Sequence, residues 1–235
     1  MEPTLLKAMD ITMHDTALLR LFQLISPSLP TGGFSYSQGI EWAVEAGWIQ
    51  NRADLQHWLE DLLEHAMSRV DIPILRRMYA ACEQGEKQAL VHWSEQLLAW
   101  RETSELRLEE QNRGRALATL LRQMEVGRAA DWHQSIALCQ LAGYALAAVT
   151  WNIPVRQAAA GYVWSWLENQ VLAGIKIIPL GQTAGQRILF DLAGRIPAVV
   201  ARGLEFEEQD IGSAMPALAL ACCGHEMQYT RLYRS

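Results

Sequence analysis

Hydrophobic positions recur at three- and four-residue spacings along almost the whole chain. Leu18, Leu21, Phe22 and Ile25 fall at i, i+3, i+4 and i+7, which predicts an amphipathic helix with Asp15 or Thr16 placed at its start. Ile40, Ala43, Val44 and Gly47 repeat the pattern. Asn51 is placed to cap a third helix whose Leu55, Trp58, Leu59, Leu62, Leu63 and Ala66 form a wide apolar stripe. Asp71 followed by Pro73 reads as a cap and first turn, with Gly85 as the stop. Helical patterns continue over 86–122, 131–151, 155–173, 183–193 and 213–229, broken by Pro154 and by Pro179-Leu180-Gly181. No window alternates as a strand would. The expectation is an all-α fold without a sheet. It is a single compact domain over 1–235 of roughly ten helices, with a flexible N-terminus (1–14) and a flexible C-terminal tail (225–235).

The stretch from Pro27 to Glu41, PSLPTGGFSYSQGIE, joins the first two helical segments. A phosphate-binding loop needs Lys and then Ser or Thr after its second glycine. Here Phe34 follows Gly32-Gly33, and no Lys lies between Lys7 and Lys87. The stretch therefore reads as a glycine-permissive turn presenting Phe34, Tyr36, Ser37 and Gln38 near an interface.

Composition narrows the classes. Half of the 235 residues are hydrophobic, enough for a sizeable core. The formal charge of −6 argues against nucleic-acid binding, which needs clustered basic residues. Of 20 basic residues only Lys7, Lys87 and Lys176 are lysines, and arginine favours planar contacts at protein interfaces. Nine tryptophans point to a large core and to an interface, including a homodimer through an apolar helical surface. Residues 1–10 carry no signal-peptide core, and the apolar run 136–151 is too short to span a membrane. The four cysteines, at 82, 139, 222 and 223, lack CxxC spacing, so reduced thiols in a cytoplasmic setting are expected.

Candidate chemistry is sparse. There is no GxSxG, and no His neighbours Ser35 or Ser37 in sequence. The carboxylates of 102–110 read as a solvated ion-pair face, since Glu64-His65 lacks the ExxH spacing of a helical metal site. Cys222, Cys223 and His225 are the candidate metal ligands, with Cys222 and His225 three apart on one helix, against a reading as buried structural residues. No tightly bound cofactor is expected. Lys176, alone in an apolar run, should reach solvent or a partner. Tyr229, Arg231, Tyr233 and Arg234 are residue types that anchor interfaces, and a tail rich in them could order on a partner.

Several segments together resemble the urease accessory protein UreF family. They are LPTGGFSYSQGIE (29–41), Asp71-Ile72-Pro73, RETSELR (101–107), QLAG (140–143), AGIKIIPLGQ (173–182) and HEMQYTRLYRS (225–235). The resemblance implies an all-α homodimer without turnover of its own. It implies a chaperone or scaffold that bridges UreD (also called UreH) and the GTPase UreG, and through them helps deliver nickel, in transit, to urease apoprotein. It also favours Lys176 as part of the GTPase-facing surface. A nickel metallochaperone using Cys222, Cys223 and His225, or an all-α enzyme, are the alternatives.

Overall fold

A computed structural model describes residues 15–212 and 215–235; the N-terminal stretch 1–14, expected to be flexible, lies outside them. Twelve α-helices and no strand occur among the described residues. They are α1 (Asp15–Ile25), α2 (Ile40–Glu45), α3 (Arg52–Leu62), α4 (Ile72–Gln84), α5 (Lys87–Ala99), α6 (Ser104–Gln123), α7 (His133–Ile136), α8 (Gln140–Thr150), α9 (Val155–Ile177), α10 (Gln182–Ala193), α11 (Ile196–Glu205) and α12 (Pro216–Met227).

Two helices are buried almost all round, and the others wrap them. Helix α8 buries every residue from Gln140 to Ala148. Helix α9 is the axis: α1, α2, α3, α4, α8, α10 and α11 all pack on it. Small residues permit this. A Cβ at Gly161 would lie 2.7 Å from Leu21, and one at Gly174 only 2.5 Å from Leu55. These glycines cost helix propensity of about 1 kcal/mol each, which close packing offsets.

Local chemistry sets the helix ends. The Asn51 side chain accepts from the Ala53 and Asp54 amides, as its position predicts. Gly85 ends α4 at φ 76°. Two segments that read as single helices are divided. The 86–122 stretch breaks before Thr103, whose hydroxyl accepts from the Leu106 amide at 3.3 Å and starts α6. The 131–151 stretch breaks at Cys139, which is extended because α6 crosses there at Gly114, where a Cβ would sit 2.7 Å from the Cys139 carbonyl carbon.

Asp71 is not a cap. Residues Leu63–Asp71 form a π-helix that joins α3 to α4 in one rod, and Asp71 has helical angles. The Ile72 amide reaches back five residues to Met67. Pro73, which has no N–H and whose ring would clash with a carbonyl of a regular helix, follows this wide turn. The Asp71 carboxylate turns into the core instead. Arg101 binds it through Nη2 at 2.6 Å and Nη1 at 3.3 Å, and Tyr162 donates at 3.3 Å. Arg101 also bonds Glu110 at 2.6 Å. Burial opposes the Arg101 charge, but Asp71 and Glu110 overcome that and raise its pKa.

Candidate functional site

The glycine turn and the end of the chain form one structure. Gly32 (φ 73°) starts a single 3-10 turn over Gly33–Ser35, and Gly39 (φ 82°) starts α2. At Gly39 a side chain is excluded on two grounds: the backbone is left-handed, and a Cβ would lie 3.0–3.1 Å from Ala221 and Cys222 of α12. Between them Gln38 is left-handed as well, at φ 50°. That strained residue is held on both sides. Its amide nitrogen donates to Glu109 at 3.0 Å, and its oxygen accepts from the Trp166 indole at 2.8 Å.

Residues 225–235, expected to be a flexible tail, lie docked along this turn as a strap. The Ser235 carbonyl oxygen accepts from the amides of Ser37 (2.7 Å) and Gln38 (3.0 Å) and from the Ser37 hydroxyl (2.6 Å). The Arg234 amide donates to the Ser35 carbonyl at 2.8 Å. Glu41, on the first turn of α2, accepts from the Leu232 amide at 2.6 Å and the Tyr233 amide at 2.8 Å. The Ser235 hydroxyl donates to Glu109 at 3.1 Å. Tyr233 and Ser235 are buried by this docking. The backbone of 228–235, which lies outside any helix, thus finds its partners in a turn and a carboxylate.

Carboxylates on α6 anchor the assembly from beneath. Glu109 meets Arg113 at 2.8 Å; burial raises the Glu109 pKa, and Arg113 only partly opposes it. Glu105 receives His225 Nδ1 at 2.7 Å and also pairs with Arg231. The other His225 nitrogen faces Glu41 at 3.4 Å, so the imidazole, with no solvent exposure, sits between two carboxylates. Glu226 of α12 accepts from the Ser104 hydroxyl at 2.6 Å and the Glu105 amide at 3.0 Å, capping α6 from another helix. That Ser104 bond lowers the Glu226 pKa; burial opposes it, and the two backbone amides add to the lowering.

Among the sequence-predicted residues, Tyr36, Ser37, Gln38, Arg231, Tyr233 and Arg234 come together here. Tyr36 and Ser37 are interior parts of the strap's seat. The outer surface carries Phe34 (67 % exposed), Tyr229 (102 %), Leu232 (69 %) and the exposed Arg234. Lys176 is exposed in the last turn of α9, and among the described residues no hydrogen bond or ion pair joins it to the strap.

The proposed metal ligands do not form a set. Cys222 and His225 are buried, while Cys223 points outward. Both His225 ring nitrogens are occupied by carboxylates, and burial pushes the Cys222 thiol pKa well up, which disfavours the thiolate a metal needs. Among the described residues no group of three or more His, Cys, Asp or Glu is arranged to hold an ion.

Sequence reasoning missed Glu41 and the burial of Glu109 and Arg113, although their i,i+4 spacing allows the ion pair they form. It read 102–110 as a solvated face, yet Glu109 and Glu110 are buried. A signal was present: Leu106, Glu110, Gly114, Leu117 and Leu121 follow one i, i+3/i+4 stripe, so a carboxylate stands on the apolar face.

The chain matches the UreF family model over residues 49–193. It is 49 % identical over 230 residues to a urease accessory protein UreF of Alcanivorax borkumensis, covering 95 % of this chain and 100 % of the relative. It is 49 % identical over 221 residues to one of Pseudomonas putida (94 % and 99 %) and 44 % identical over 217 residues to one of Escherichia coli O157:H7 (92 % and 97 %). Among the described residues no helix is long and apolar enough to cross a membrane.

Proposed function

The chain belongs to the UreF family of urease accessory proteins, and from that premise we propose that it acts as a non-catalytic scaffold coupling UreD to the GTPase UreG during nickel delivery to urease. The observation that carries this reading is the docked strap. Its backbone is fixed by buried hydrogen bonds while Phe34, Tyr229, Leu232 and Arg234 face outward. Aromatic and Arg side chains on a preorganised backbone are suited to a protein partner, because little ordering entropy remains to be lost on binding. The strap is thus a rigid recognition element, in contrast to a tail that orders only on contact. The strap face is one partner surface in this proposal, and the face around the exposed Lys176 is the one that meets UreG.

A dimer belongs to the same proposal. Phe190 (76 % exposed) on α10 and Leu19 (65 %) on α1 are large apolar side chains without a cover. A stable symmetric contact would need at least ~1,200 Å² in total. Nickel is cargo in this scheme.

The test is co-purification with tagged UreD and UreG, paired with the nickel content of urease from a strain lacking this protein. A ternary complex, and urease made but poor in nickel without the protein, are expected. Full nickel occupancy in its absence at limiting nickel overturns the proposal.

A further inference from the structure

An open groove of about 420 Å³ runs between the outer face of α6 and the last residues of the strap. Its two walls run in the same direction: Arg231 meets Glu105 in the first turn of α6, and Ser235 meets Glu109 one turn later. Leu108, 51 % exposed, gives α6 its apolar part of the lining, and the buried Tyr36 and Tyr233 complete it. Both walls are held before anything binds, one as a helix and the other as the hydrogen-bonded strap.

The charge of the groove is opposite to that of the chain. The chain carries a formal charge of −6. Tyrosines aside, the ionisable residues that line the groove are Arg231, Arg234 and Glu105. Glu105 is engaged on both oxygens, by His225 and by Arg231. Arg234 is exposed, and among the described residues its side chain meets no carboxylate or other acceptor; only its backbone amide is used, on the Ser35 carbonyl. Arg115 adds a second positive charge beside the groove, its Nη2 donating to Oδ1 of the lining Asn112 at 2.6 Å.

We propose that this groove receives a short acidic segment of a partner protein, with one aliphatic or aromatic side chain seated on Leu108 and a neighbouring carboxylate on Arg234. The proposal rests on the reading of the strap face as a partner surface and adds the chemistry that the partner presents. A guanidinium with no carboxylate of its own takes one bidentately. An apolar seat beside it selects a peptide segment over a free anion. Leu108 and Asn112 stand one helical turn apart, about 5.4 Å, which is the reach of about two residues of extended chain. A basic segment would face two arginines that no carboxylate offsets. Because both walls are already fixed, little ordering entropy is lost on the side of this chain.

The probe is the peptide Ac-Glu-Leu-Asp-Phe-Glu-NH₂. It is titrated into the full chain while the Leu108 methyl, Asn112 side-chain amide and Arg234 Nε–Hε resonances are followed by NMR. Counterparts with Gln and Asn, or with Lys, in place of the acidic residues are the comparisons. Saturable shifts at the groove are expected, with the acidic peptide at least about threefold tighter than the neutral one, the scale of an exposed ion pair, and the basic peptide weakest. Non-specific attraction to a chain of formal charge −6 would give the opposite order. Arg234→Gln, which leaves the backbone anchor in place, should remove most of the acidic peptide's advantage, and Leu108→Ser should weaken all three peptides. Should either variant fail to fold, the order of the three peptides on the wild-type chain decides alone. No saturable shift at these resonances up to about 5 mM, well beyond the ~1 mM expected of so small a contact, would overturn the proposal. So would equal binding of the acidic and neutral peptides, or a preference for the basic one. Assembly with UreD and UreG is read separately. An intact ternary complex without peptide binding removes the groove and leaves the scaffold; peptide binding without a ternary complex does the reverse.

Discussion

Replacing Glu41 with Ala should release the strap while leaving the helical core folded. Glu41 accepts from the Leu232 and Tyr233 amides at 2.6 and 2.8 Å and faces His225 at 3.4 Å. A hydrogen bond to a charged group contributes about 1.5–3 kcal/mol. Leu232 lies at the solvent edge, so we take the low end for both bonds, about 3 kcal/mol in all. At 1.4 kcal/mol per decade, the open population of the strap rises roughly a hundredfold. The assay is amide hydrogen exchange. Leu232 and Tyr233 should exchange about a hundred times faster, and Ser37 and Gln38, which donate to Ser235, should follow them. Amides of α8 and α9 should not change. Glu41→Gln keeps an oxygen but loses the charge and should fall between. Wild-type exchange at Leu232 and Tyr233 in Glu41→Ala would refute the idea that this carboxylate holds the strap.

Three further outcomes follow from the packing. Asp71→Asn leaves Arg101 buried with only Glu110 to balance it, and should destabilise by about 3–5 kcal/mol, or roughly 6–20 °C in Tm by calorimetry. Gly114→Ala should destabilise by up to about 2 kcal/mol on chemical denaturation: its Cβ would meet the Cys139 backbone at 2.7 Å, an overpacking cost of about 1–3 kcal/mol against about 1 kcal/mol of helix propensity gained. Burial pushes the Cys82 and Cys139 thiols up to about 12, from an ordinary 9.0. The unfolded chain therefore holds fewer protons between those values, and the stability present below pH 9 is lost as pH rises towards 12, by at most about 1.4 kcal/mol per pH unit for each thiol. Cys139→Ala should flatten that alkaline slope in urea titrations, and an unchanged slope would remove the thiol from the account.

The helices were legible because their signals are local. Apolar spacing, the Asn51 cap and the Gly85 stop each act within a few residues. The glycine turn was legible as a turn for the same reason. What could not be read was which polar residues turn inward. Asp71 looks like a cap beside Pro73, yet a π-register and an arginine 30 residues away make it a core anion. Glu109 and Glu110 look like surface charges until Gln38 and Arg101 arrive from outside α6. The strap reads as a flexible end because it is terminal and carries no helical spacing; its hold comes from backbone hydrogen bonds to the glycine turn and from carboxylates about 120 to 190 residues earlier, Glu41 above all. Such pairings are properties of the tertiary fold, and local pattern carries no record of them.

In the proposed scaffold the outer face of the docked strap is a partner-binding surface. Its most direct test is co-purification of tagged UreD and UreG with a variant carrying Phe34→Ala, Tyr229→Ala and Leu232→Asp. All three side chains are exposed, so each change should alter stability by less than about 0.5 kcal/mol. The expected result is loss of the ternary complex with unchanged helical signal and Tm. Recovery of the full ternary complex by that folded variant would contradict it.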